Sequence, residues 1–217
     1  MIIDIHLHEK TYSYDSFLGL DEIVEKARKM GLDAVCITDH ESSGLRERAE
    51  KLSAESGFPI FVGAEILTFQ GDLLVFGLDQ LPEKKMSAQD LTDYVLQRGG
   101  AMISAHPYRK NNRGLEDHVK TIEGLSGVEG LNGNTPHHLN LQAFHAAKSA
   151  GKPVFGGSDA HWVDEVGLFA TKFHRWIHNE EELVQAILEG NVTPVYYRHG
   201  QYLPFDAADP ASHFQTV

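Results

Sequence analysis

The sequence predicts an α/β protein in which a parallel sheet closes, or nearly closes, into a barrel within a single domain spanning residues 1–217. Apolar strand-like segments alternate with amphipathic helical segments in about seven β-then-α units. No linker or low-complexity segment interrupts the 217 residues, and 41% of them are hydrophobic, which is enough for a sizeable core. About seven units favour a barrel over an open sheet.

The first 100 residues contain three strand-like segments, three helical segments and one segment that breaks the alternation. Strands are predicted at residues 1–7, 32–40 and 58–66, and helices at residues 19–31, 43–57 and 87–100. Each helix ends at glycine, which is a common stop signal. Residues 67–78, LTFQGDLLVFGL, are too strand-like for a helix, and Gly71 predicts a hairpin or a strand extension.

The rest of the chain continues the alternation up to an irregular tail. Strands are predicted at residues 101–107, 127–133, 152–161 and 168–174, and helices at residues 115–125, 137–151 and 179–190. From about residue 191 we expect no regular structure, because Pro194, Pro204 and Pro210 interrupt the pattern.

The composition argues against binding to nucleic acid or to a membrane. The net charge is −12, whereas nucleic acids and anionic membranes are bound by clustered Lys and Arg. No apolar run approaches the roughly 20 residues of a membrane span, and no signal peptide is recognisable. The single cysteine, Cys36, allows no internal disulfide and has the neighbours of a buried strand residue. We expect a cytoplasmic protein, and the sequence leaves a homo-oligomer open.

Metal-binding residue types follow five of the predicted strands. In a barrel, catalytic groups lie at the C-terminal ends of the strands. His6 and His8 stand two residues apart after the first strand, so a continuing strand would direct both imidazoles to one face. The other strand ends carry Asp39, His40, Glu65, His106, Asp159 and His161.

Each of these residues also has an ordinary structural interpretation. A single histidine at a strand end is more often hydrogen-bonded than a ligand, and a single carboxylate is commonly the N-cap of the next helix. Asp39 suits either an N-cap or a partner that orients an imidazole. A barrel brings all five loops together, and the structural interpretation would have to hold independently at each. We therefore favour a shared metal site.

The candidate ligands also indicate the kind of metal chemistry. Imidazoles and carboxylates, without a usable cysteine, suit Zn, Mn or Fe in a hydrolytic role. About eight candidates exceed the needs of one tetrahedral ion, which favours two or three ions that share a bridging carboxylate. Clustered ions can generate a hydroxide near neutral pH and stabilise the attacking and leaving oxygens of a phosphoryl group.

Five short segments resemble, in order, the PHP superfamily of metal-dependent phosphoesterases. They are DIHLH, ITDH, GAEI, SAHP and GSDAH, and the resemblance extends from residue 2 to about residue 173. That superfamily includes histidinol phosphatase and the PHP domains of bacterial DNA polymerases. The resemblance implies a distorted seven-stranded β/α barrel, similar to a TIM barrel, with a trinuclear metal centre in a cleft at the strand C-termini.

The resemblance also implies which residues bind each ion. The sets are His6, His8, Glu65 and Asp159 for a first ion, Glu65 and His106 for a second, and Asp15, His40 and His161 for a third. Glu65 would bridge the first two ions. Asp15 matches a position that the superfamily fills with Asp or His.

The second ion lacks one ligand that many superfamily members supply, a histidine on the segment after the bridging glutamate. Here that segment is LTFQGDLLVFGL, and Asp72 is its nearest candidate. Asn134, His137 and His138 are alternatives, as is a weaker site. The two histidines follow Pro136 at a predicted helix start, where exposure or capping also explains them. We favour Asp72.

The expected reaction is hydrolysis of a phosphate ester, in which a hydroxide bridging two ions attacks phosphorus. A proton must reach the leaving oxygen. His161, His40 or a metal-bound water would deliver it, and the sequence does not choose among them.

Four cationic residues are candidates for binding the phosphate. Arg109, Lys110 and Arg113 follow the SAHPY segment, and Lys172 lies near the end of the last strand. Solvated surface charges are the alternative interpretation. The chain lacks a long insertion that would bind a nucleobase, so a small phosphorylated metabolite is favoured over a polymer.

Two other functions stay open at this point. The first is an amide or cyclic-ester hydrolase on the same ions, because a bridging hydroxide attacks carbonyl carbon as readily as phosphorus. The second is a non-catalytic, metal-stabilised module that serves a partner, for which the tail segment QYLPF would supply an apolar surface.

Overall fold

A computed structural model of the protein describes residues 1–207, in which eleven strands form two mixed sheets. The strands are β1 (Ile2–Asp4), β2 (Ala34–Ile37), β3 (Ile60–Val62), β4 (Ala64–Leu67), β5 (Asp72–Phe76), β6 (Ala101–Ser104), β7 (Gly127–Asn132), β8 (Val154–Gly157), β9 (Phe169–Phe173), β10 (Val192–Arg198) and β11 (Gln201–Pro204). The helices are α1 (Leu20–Met30), α2 (Arg46–Ser56), α3 (Ala88–Gln97), α4 (His137–Ser149) and α5 (Glu180–Glu189), and a 3-10 helix covers Glu116–Lys120.

Strand direction divides each sheet into a parallel part and an antiparallel part. The first sheet has the order β11-β10-β9-β1-β2-β3, and the second has the order β4-β5-β6-β7-β8. Parallel pairing joins β1, β2 and β3 in the first sheet and β6, β7 and β8 in the second. The pairs that involve β5, β9 or β10 are antiparallel. The expectation of a wholly parallel sheet is therefore wrong, because β5, β9 and β10 run opposite to the strands beside them, even where a helix lies between paired strands, as between β5 and β6.

The two sheets are joined by isolated bridges and do not close into one continuous barrel. Leu7 forms a parallel bridge with Ala160, and His40 forms another with Glu65. We call these contacts the first seam and the second seam. One apolar cluster, which includes Ile3 of β1 and Phe155 of β8, contains residues from both sheets. The α/β class is as predicted, but the expected distorted seven-stranded barrel is observed as two mixed sheets of eleven strands that meet at two seams.

Helix α1 and the turn at Gly71 follow the sequence pattern closely. The apolar face of α1 is buried, and Gly31 ends the helix with φ of 78°, a value that favours glycine. Between β4 and β5, Gly71 has φ of 153°, and a Cβ atom there would lie 2.6 Å from the carbonyl carbon of Gly114. Only glycine allows this close approach. Strands β4 and β5 pair antiparallel on either side of it, so the predicted hairpin is observed and not the strand extension.

The region after residue 191 is a β-hairpin, where we expected an irregular tail. Strands β10 and β11 pair antiparallel, and β10 also pairs with β9. Pro204 ends the edge strand β11, a position where the missing N–H group costs no ladder bond. Phe205 is buried in a cluster with Leu131 and Phe169, so the segment QYLPF is partly covered by its own chain. Pro210 lies outside the described residues.

Two further details concern the helices. The segment expected as a helix at residues 115–125 forms only the 3-10 helix named above. Among residues 1–207, no helix combines the length and apolar character that crossing a bilayer requires.

Candidate metal centre

Side chains from both seams converge at one end of the molecule, just after β1, β2, β6 and β8, within β4 and at the start of β5. Nine residues take part, namely His6, His8, Asp15, His40, Glu65, Asp72, His106, Asp159 and His161. Glu65 is the hub of this cluster. Its Oε1 atom lies 2.9 Å from Nε2 of His106, and its Oε2 atom lies 2.8 Å from Nδ1 of His40 and 3.5 Å from Nε2 of His8. All nine candidate ligands are thus neighbours in space.

Four overlapping groups in this cluster have the spacing of a metal site. In each group the ligand atoms lie within 4.8 Å of one another. The groups are His6, His8 and Glu65; His6, His106 and Asp159; Glu65, Asp72 and His106; and His8, His40 and His161. Asp15 adjoins the last group, with Oδ2 3.3 Å from Nε2 of His40 and 3.6 Å from Nε2 of His161.

Two of these residues have a backbone conformation that is rare outside glycine. His106 has φ of 26° and Asp159 has φ of 55°. Each is held there by a hydrogen bond from its own N–H group. The amide of Asp159 donates to the carbonyl oxygen of His6 at 2.6 Å, and the amide of His106 donates to Oε2 of Glu129 at 2.8 Å. Such strain, about 1–3 kcal/mol for each residue, concentrates at functional sites.

Glu129 orients two of the histidines and was missed by the sequence analysis. Its Oε1 atom lies 3.0 Å from Nδ1 of His6, and Oε2 accepts hydrogen bonds from the amide of His106 and from Nδ2 of Asn132. Glu129 is fully buried on β7. The available signal was a charged residue inside an otherwise apolar strand, because a buried charge requires partners.

Asp39 orients His8 through Ser13 and does not cap a helix. The Oδ1 atom of Asp39 accepts from the Ser13 hydroxyl at 2.7 Å and from the amide of Glu9 at 2.6 Å. The Ser13 oxygen in turn lies 3.1 Å from Nδ1 of His8. Helix α2 starts after Leu45, well past Asp39. Of the two interpretations for Asp39, the one in which it orients an imidazole therefore matches the geometry.

These partners direct two ring nitrogens at each other. Because the Ser13 hydroxyl donates to Asp39, it accepts the Nδ1 proton of His8. Glu129 accepts the Nδ1 proton of His6 in the same way. The two Nε2 atoms then face each other at 3.2 Å, beside carboxylate oxygens. Lone pairs this close require a cation or a proton between them.

The charges of the two central carboxylates are fixed by their neighbours. Burial alone would raise the pKa of Glu65, but hydrogen bonds from His106, His40 and His6 hold it well below its usual range. Burial acts in the same direction on Asp159, yet the charges of His6 and Arg109 hold the pKa of that carboxyl well below its usual range. Both residues are therefore anionic at neutral pH.

The buried histidines differ in charge in the absence of an ion. Burial lowers the pKa of His8 to about 4, so its ring is neutral and its Nε2 lone pair is available. Burial also opposes a charge on His6, but the carboxylates of Asp159 and Glu129 outweigh it and raise the pKa of His6 well above its usual range. A metal ion at this position would take the place of the proton on His6.

Two buried carboxylate oxygens at the margins of the cluster lack hydrogen-bond partners among the described residues, which suits them to binding cations. Oδ1 of Asp15 and Oδ1 of Asp72 are buried, and among residues 1–207 neither has a hydrogen-bond partner. Asp15 adjoins His40 and His161, and Asp72 adjoins His106 with 3.8 Å between Oδ2 and Nε2. Imidazole and carboxylate donors in this arrangement fit divalent Zn, Mn or Fe.

Asp72, and not its alternatives, lies beside Glu65 and His106, the residues expected to bind the second ion. The ring of His137 packs against Phe205, and His138 is exposed at the start of α4. Asn134 uses its amide group to donate to the carbonyl oxygen of Asp159. Burial and the charge of Glu65 raise the pKa of Asp72 to about 8, and the nearby Arg113 offsets only part of that shift.

Two of the four candidate phosphate-binding residues line the cleft beside the cluster. The cleft has a volume of about 140 Å³ and is bordered by Arg109, Arg113, Tyr14 and Asn111. Six of the nine candidate ligands also line it, namely Asp15, His40, Glu65, His106, Asp159 and His161. Arg109 donates to Asp159 and, at 2.6 Å, to Oδ1 of Asn132. Nε of Arg113 donates to Oδ2 of Asp72 at 2.6 Å.

The other two candidates lie outside the cleft. Lys110 is exposed and pairs with Glu116 at 2.9 Å. Lys172 lies beside Ile2, at the opposite end of β1 from His6. Its assignment to the phosphate site is wrong because β9 runs antiparallel to β1, so its last residues point away from the cluster.

The catalytic candidates His40 and His161 border the cleft on one side. Nδ1 of His161 lies 2.8 Å from the carbonyl oxygen of Asp159, which fixes the Nδ1 proton and leaves Nε2 unprotonated on the neutral ring. His40 contacts carboxylates through both ring nitrogens, Glu65 at Nδ1 and Asp15 at Nε2. Hydrogen bonding to Glu65 and the nearby charges overcome burial and raise the pKa of His40.

Two family models match most of this chain. The model of the PHP domain matches residues 4–142, and a model described as PHP-associated matches residues 137–192. A Thermotoga maritima protein named probable histidinol-phosphatase is 46% identical over 206 residues, covering 76% of this chain and 87% of that protein. An uncharacterised Methanocaldococcus jannaschii protein is 29% identical over 141 residues, covering 61% of this chain and 82% of that protein.

The fold is also similar to that of solved structures. PsfC from Pseudomonas syringae superposes with a TM-score of 0.68 at 16% sequence identity, and the match covers 92% of each chain. At that identity the likeness concerns the fold alone. Because the PHP domain model covers more than half of its length, the chain belongs to the PHP domain family.

Proposed function

We propose that the protein is a metal-dependent phosphoesterase that hydrolyses a small phosphorylated metabolite at a centre of two or three divalent ions. The observation that carries this proposal is the clustering of nine candidate metal ligands, six of which line one small cleft together with two arginines. Metal ions attract phosphate oxygens, and the planar guanidinium group matches them geometrically. The name of the Thermotoga relative, probable histidinol-phosphatase, supports a phosphate ester as the substrate.

In this proposal each ion has its own ligand set. The sets are His6, His8, Glu65 and Asp159 for the first ion, Glu65, Asp72 and His106 for the second, and Asp15, His40 and His161 for the third. When bound, the ions would stabilise negative charge on phosphoryl oxygens and lower the pKa of water to near neutrality. Glu129 and Ser13 hold the rings of His6 and His8 in the tautomer that a metal ligand requires.

Arg109 and Arg113 bind the phosphate group. Arg109 is fixed by Asn132 and Asp159, and Arg113 is fixed by Asp72, so both guanidinium groups are positioned before the substrate arrives. Preorganised donors lose little conformational entropy on binding, and they neutralise charge that develops on the phosphoryl oxygens.

His40 has two mutually exclusive roles in this scheme. As a ligand of the third ion it must be deprotonated. In a two-ion centre its two carboxylate contacts favour the protonated ring, which can give its proton to the leaving oxygen. His161, whose Nδ1 proton is held by a carbonyl oxygen, suits the ligand role.

The test is metal analysis of the purified protein combined with a hydrolase screen. We expect two or three Zn, Mn or Fe ions per chain and turnover of phosphomonoesters that a chelator abolishes. Asp159→Ala should remove turnover and lower the metal content while the protein stays folded. Asp164→Ala is the matched control, because Asp164 lies on the same loop with its side chain 97% exposed.

The screen also separates the alternatives. Turnover of amides or lactones, with no turnover of phosphate esters, would replace the phosphoesterase by another hydrolase on the same ions. Metal binding without turnover of any ester or amide would favour a non-catalytic module.

A further inference from the structure

The guanidinium group of Arg113 lies among the residues that we propose as metal ligands. Its Nε atom donates to Oδ2 of Asp72 at 2.6 Å, and its Nη2 atom lies 3.9 Å from Oε2 of Glu65. Nη2 is also 3.4 Å from Nδ1 of His40. Among residues 1–207, every hydrogen-bond and ion-pair partner of the Arg113 side chain is therefore a candidate ligand. The group is bound to the metal centre itself and not to a residue beside it.

One oxygen of Asp72 faces both Arg113 and His106. This atom, Oδ2, accepts the hydrogen bond from Arg113 and lies 3.8 Å from Nε2 of His106. Carboxylate oxygens bind guanidinium groups and divalent ions alike. A divalent ion shared by Asp72 and His106 would therefore meet the guanidinium group at Oδ2, and the two positive charges would repel each other.

The buried carboxylates of Asp72 and Glu65 need a positive charge beside them. Both side chains are at most 1% exposed, and their ligand atoms lie within 4.8 Å of each other. Two like charges this close destabilise each other unless a cation lies nearby. Arg113 supplies one such charge, and a divalent ion would supply another. Because either cation can neutralise the pair, each weakens the binding of the other.

The backbone of Arg113 is fixed, whereas its side chain borders the cleft. The carbonyl oxygen of Arg113 accepts from the amide of Asp72 at 2.8 Å, and its amide donates to Oδ1 of Asn111 at 3.1 Å. The side chain lines the cleft and turns about several single bonds. The guanidinium group can therefore leave Asp72 for a phosphate in the cleft while the backbone stays in place.

Arg109, the second arginine of the cleft, is held differently. Its Nη2 atom donates to Oδ1 of Asn132 at 2.6 Å, and its Nε atom donates to the Thr135 hydroxyl at 3.2 Å. Neither partner is charged, and neither is a ligand in the proposed centre. Arg109 also pairs with Asp159, but the two neutral partners would keep it in place when an ion binds that carboxylate. The exchange therefore concerns Arg113 alone.

We propose that Arg113 and the second ion compete for Asp72, and that a phosphate in the cleft favours the ion by drawing Arg113 away. This inference rests on the proposed function, from which it takes the ion and the phosphate. Arg113 neutralises Asp72 and Glu65 until the ion binds, and it becomes a phosphate ligand afterwards. Occupancy of the second position then depends on the presence of phosphate.

The first experiment measures metal affinity, which requires no turnover. Protein stripped of metal is titrated with Mn²⁺ against a competing chelator. Arg113→Met, which removes the charge and keeps the aliphatic stem, should tighten the second ion about 10-fold. Adding Arg113→Met to Asp72→Asn should give no such gain, because the shared carboxylate is already lost. Unchanged or weaker Mn²⁺ binding in Arg113→Met would overturn the proposal.

Lys110→Met is the matched control for Arg113→Met. Lys110 lies on the same loop, its side chain is 65% exposed, and it pairs with Glu116 outside the cleft. Removing this charge should change Mn²⁺ affinity by less than about 2-fold. An equal gain in both variants would show a general effect of net charge and refute direct competition. Thermal unfolding checks that each variant is folded, and Arg113→Gln replaces Arg113→Met if that variant is not.

Inorganic phosphate tests the second half of the proposal. In the unaltered protein, phosphate should tighten the second Mn²⁺ ion, and by linkage Mn²⁺ should tighten phosphate by the same factor. Arg113→Met should reduce this factor, because the ion no longer gains from the movement of the guanidinium group. An equal factor in the two proteins would contradict the proposal.

A crystal structure with Mn²⁺ and phosphate shows the exchange directly. We expect the guanidinium group of Arg113 in contact with phosphate and beyond hydrogen-bond distance of Asp72. An ion bound through Oδ1 of Asp72, with Arg113 still on Oδ2, would refute the competition. Turnover of phosphate esters alongside that result would leave the proposed function intact. Competition in the titrations without turnover of any phosphate ester would support the inference and refute the phosphoesterase.

Discussion

Glu129 and His6 are 123 positions apart in the chain, yet Oε1 of Glu129 lies 3.0 Å from Nδ1 of His6 inside the protein. Both side chains are fully buried. The other carboxylate oxygen accepts the amide hydrogen of His106, a residue with strained backbone. One carboxylate therefore fixes both a ring tautomer and a backbone conformation within the metal cluster.

Glu129→Gln should weaken metal binding while the cluster itself stays intact. The glutamine side chain has only one acceptor oxygen. The hydrogen bond from Nδ1 of His6 or the one from the backbone amide of His106 is therefore lost. Replacing such a partner of a metal ligand typically costs about 10- to 100-fold in metal affinity or activity. Titration with Zn or Mn against a competing chelator measures the change. Glu123→Gln, at an exposed position, is the control, and equal affinity in both variants would contradict the positioning role.

Asp15→Asn should lower the number of bound ions by one. The side chain of Asp15 is 38% exposed and contacts only the margin of the cluster, at His40 and His161. An amide is a poorer ligand than a carboxylate, so the third ion should be lost and the others retained. Elemental analysis after dialysis gives the count. Asp21→Asn, on a side chain that is 75% exposed, should leave it unchanged. An unaltered count in Asp15→Asn would exclude Asp15 as a ligand.

Metal affinity at the second ion should rise with pH up to about pH 8. Burial and the charge of Glu65 raise the pKa of Asp72 to about 8, so below that pH the ion-free protein holds a proton on this carboxylate. An ion must displace the proton, which makes binding tighter as pH increases toward the pKa and constant above it. The dependence from this group is at most about tenfold per pH unit.

Titrations from pH 6.5 to 9 in several buffers test this dependence and count the protons released. Asp72→Asn removes the titrating group and should flatten the profile between pH 7 and 8. A profile that keeps the same slope in this variant would assign the proton to another residue.

Removing the metal ions should weaken the two seams selectively. The candidate ligands flank the bridges, with His6 and Asp159 at the first seam and His40 and Glu65 at the second. Ions bound by ligands on both sides of a seam would hold the two sheets together where few hydrogen bonds link them. A chelator should therefore lower the Tm and speed hydrogen exchange at the amides of His8 and Glu65, which donate across the seams.

The amides that pair β6 with β7 provide the internal reference. They lie within one sheet, so their exchange should change little when the ions are removed. A uniform increase in exchange over both sets of amides would mean that the ions stabilise the whole fold and not the seams.

The ligand cluster could be predicted from the sequence because its residues stand in short motifs at strand ends. Convergence at those ends follows from the parallel strands, so His6, Glu65 and Asp159 could be grouped without coordinates. Glu129 could not, because no motif surrounds it and its partners are distant in sequence. The one local signal, a charged residue inside an otherwise apolar strand, indicates that Glu129 needs partners but does not identify them.

Strand direction was the main feature that the sequence left undetermined. Alternating strands and helices predict parallel pairing. Strand β9 instead pairs antiparallel with β1, so Lys172 lies at the opposite end of β1 from the candidate ligands. The prolines near the end of the chain were interpreted as irregular structure. Pro194 and Pro204 instead occupy strand positions whose missing N–H groups are tolerated, and that tolerance depends on neighbours that the sequence does not reveal.

The central position of β1 in its sheet has a consequence for the synthesis of the protein. This strand is translated before its partners, because one of its two neighbours is β9, at Phe169–Phe173, and its first seam closes on Ala160. Until those residues are translated, the nascent chain carries an open strand edge of the kind that promotes misassembly. A candidate metal group that includes Asp159 can therefore form only after translation has passed that residue.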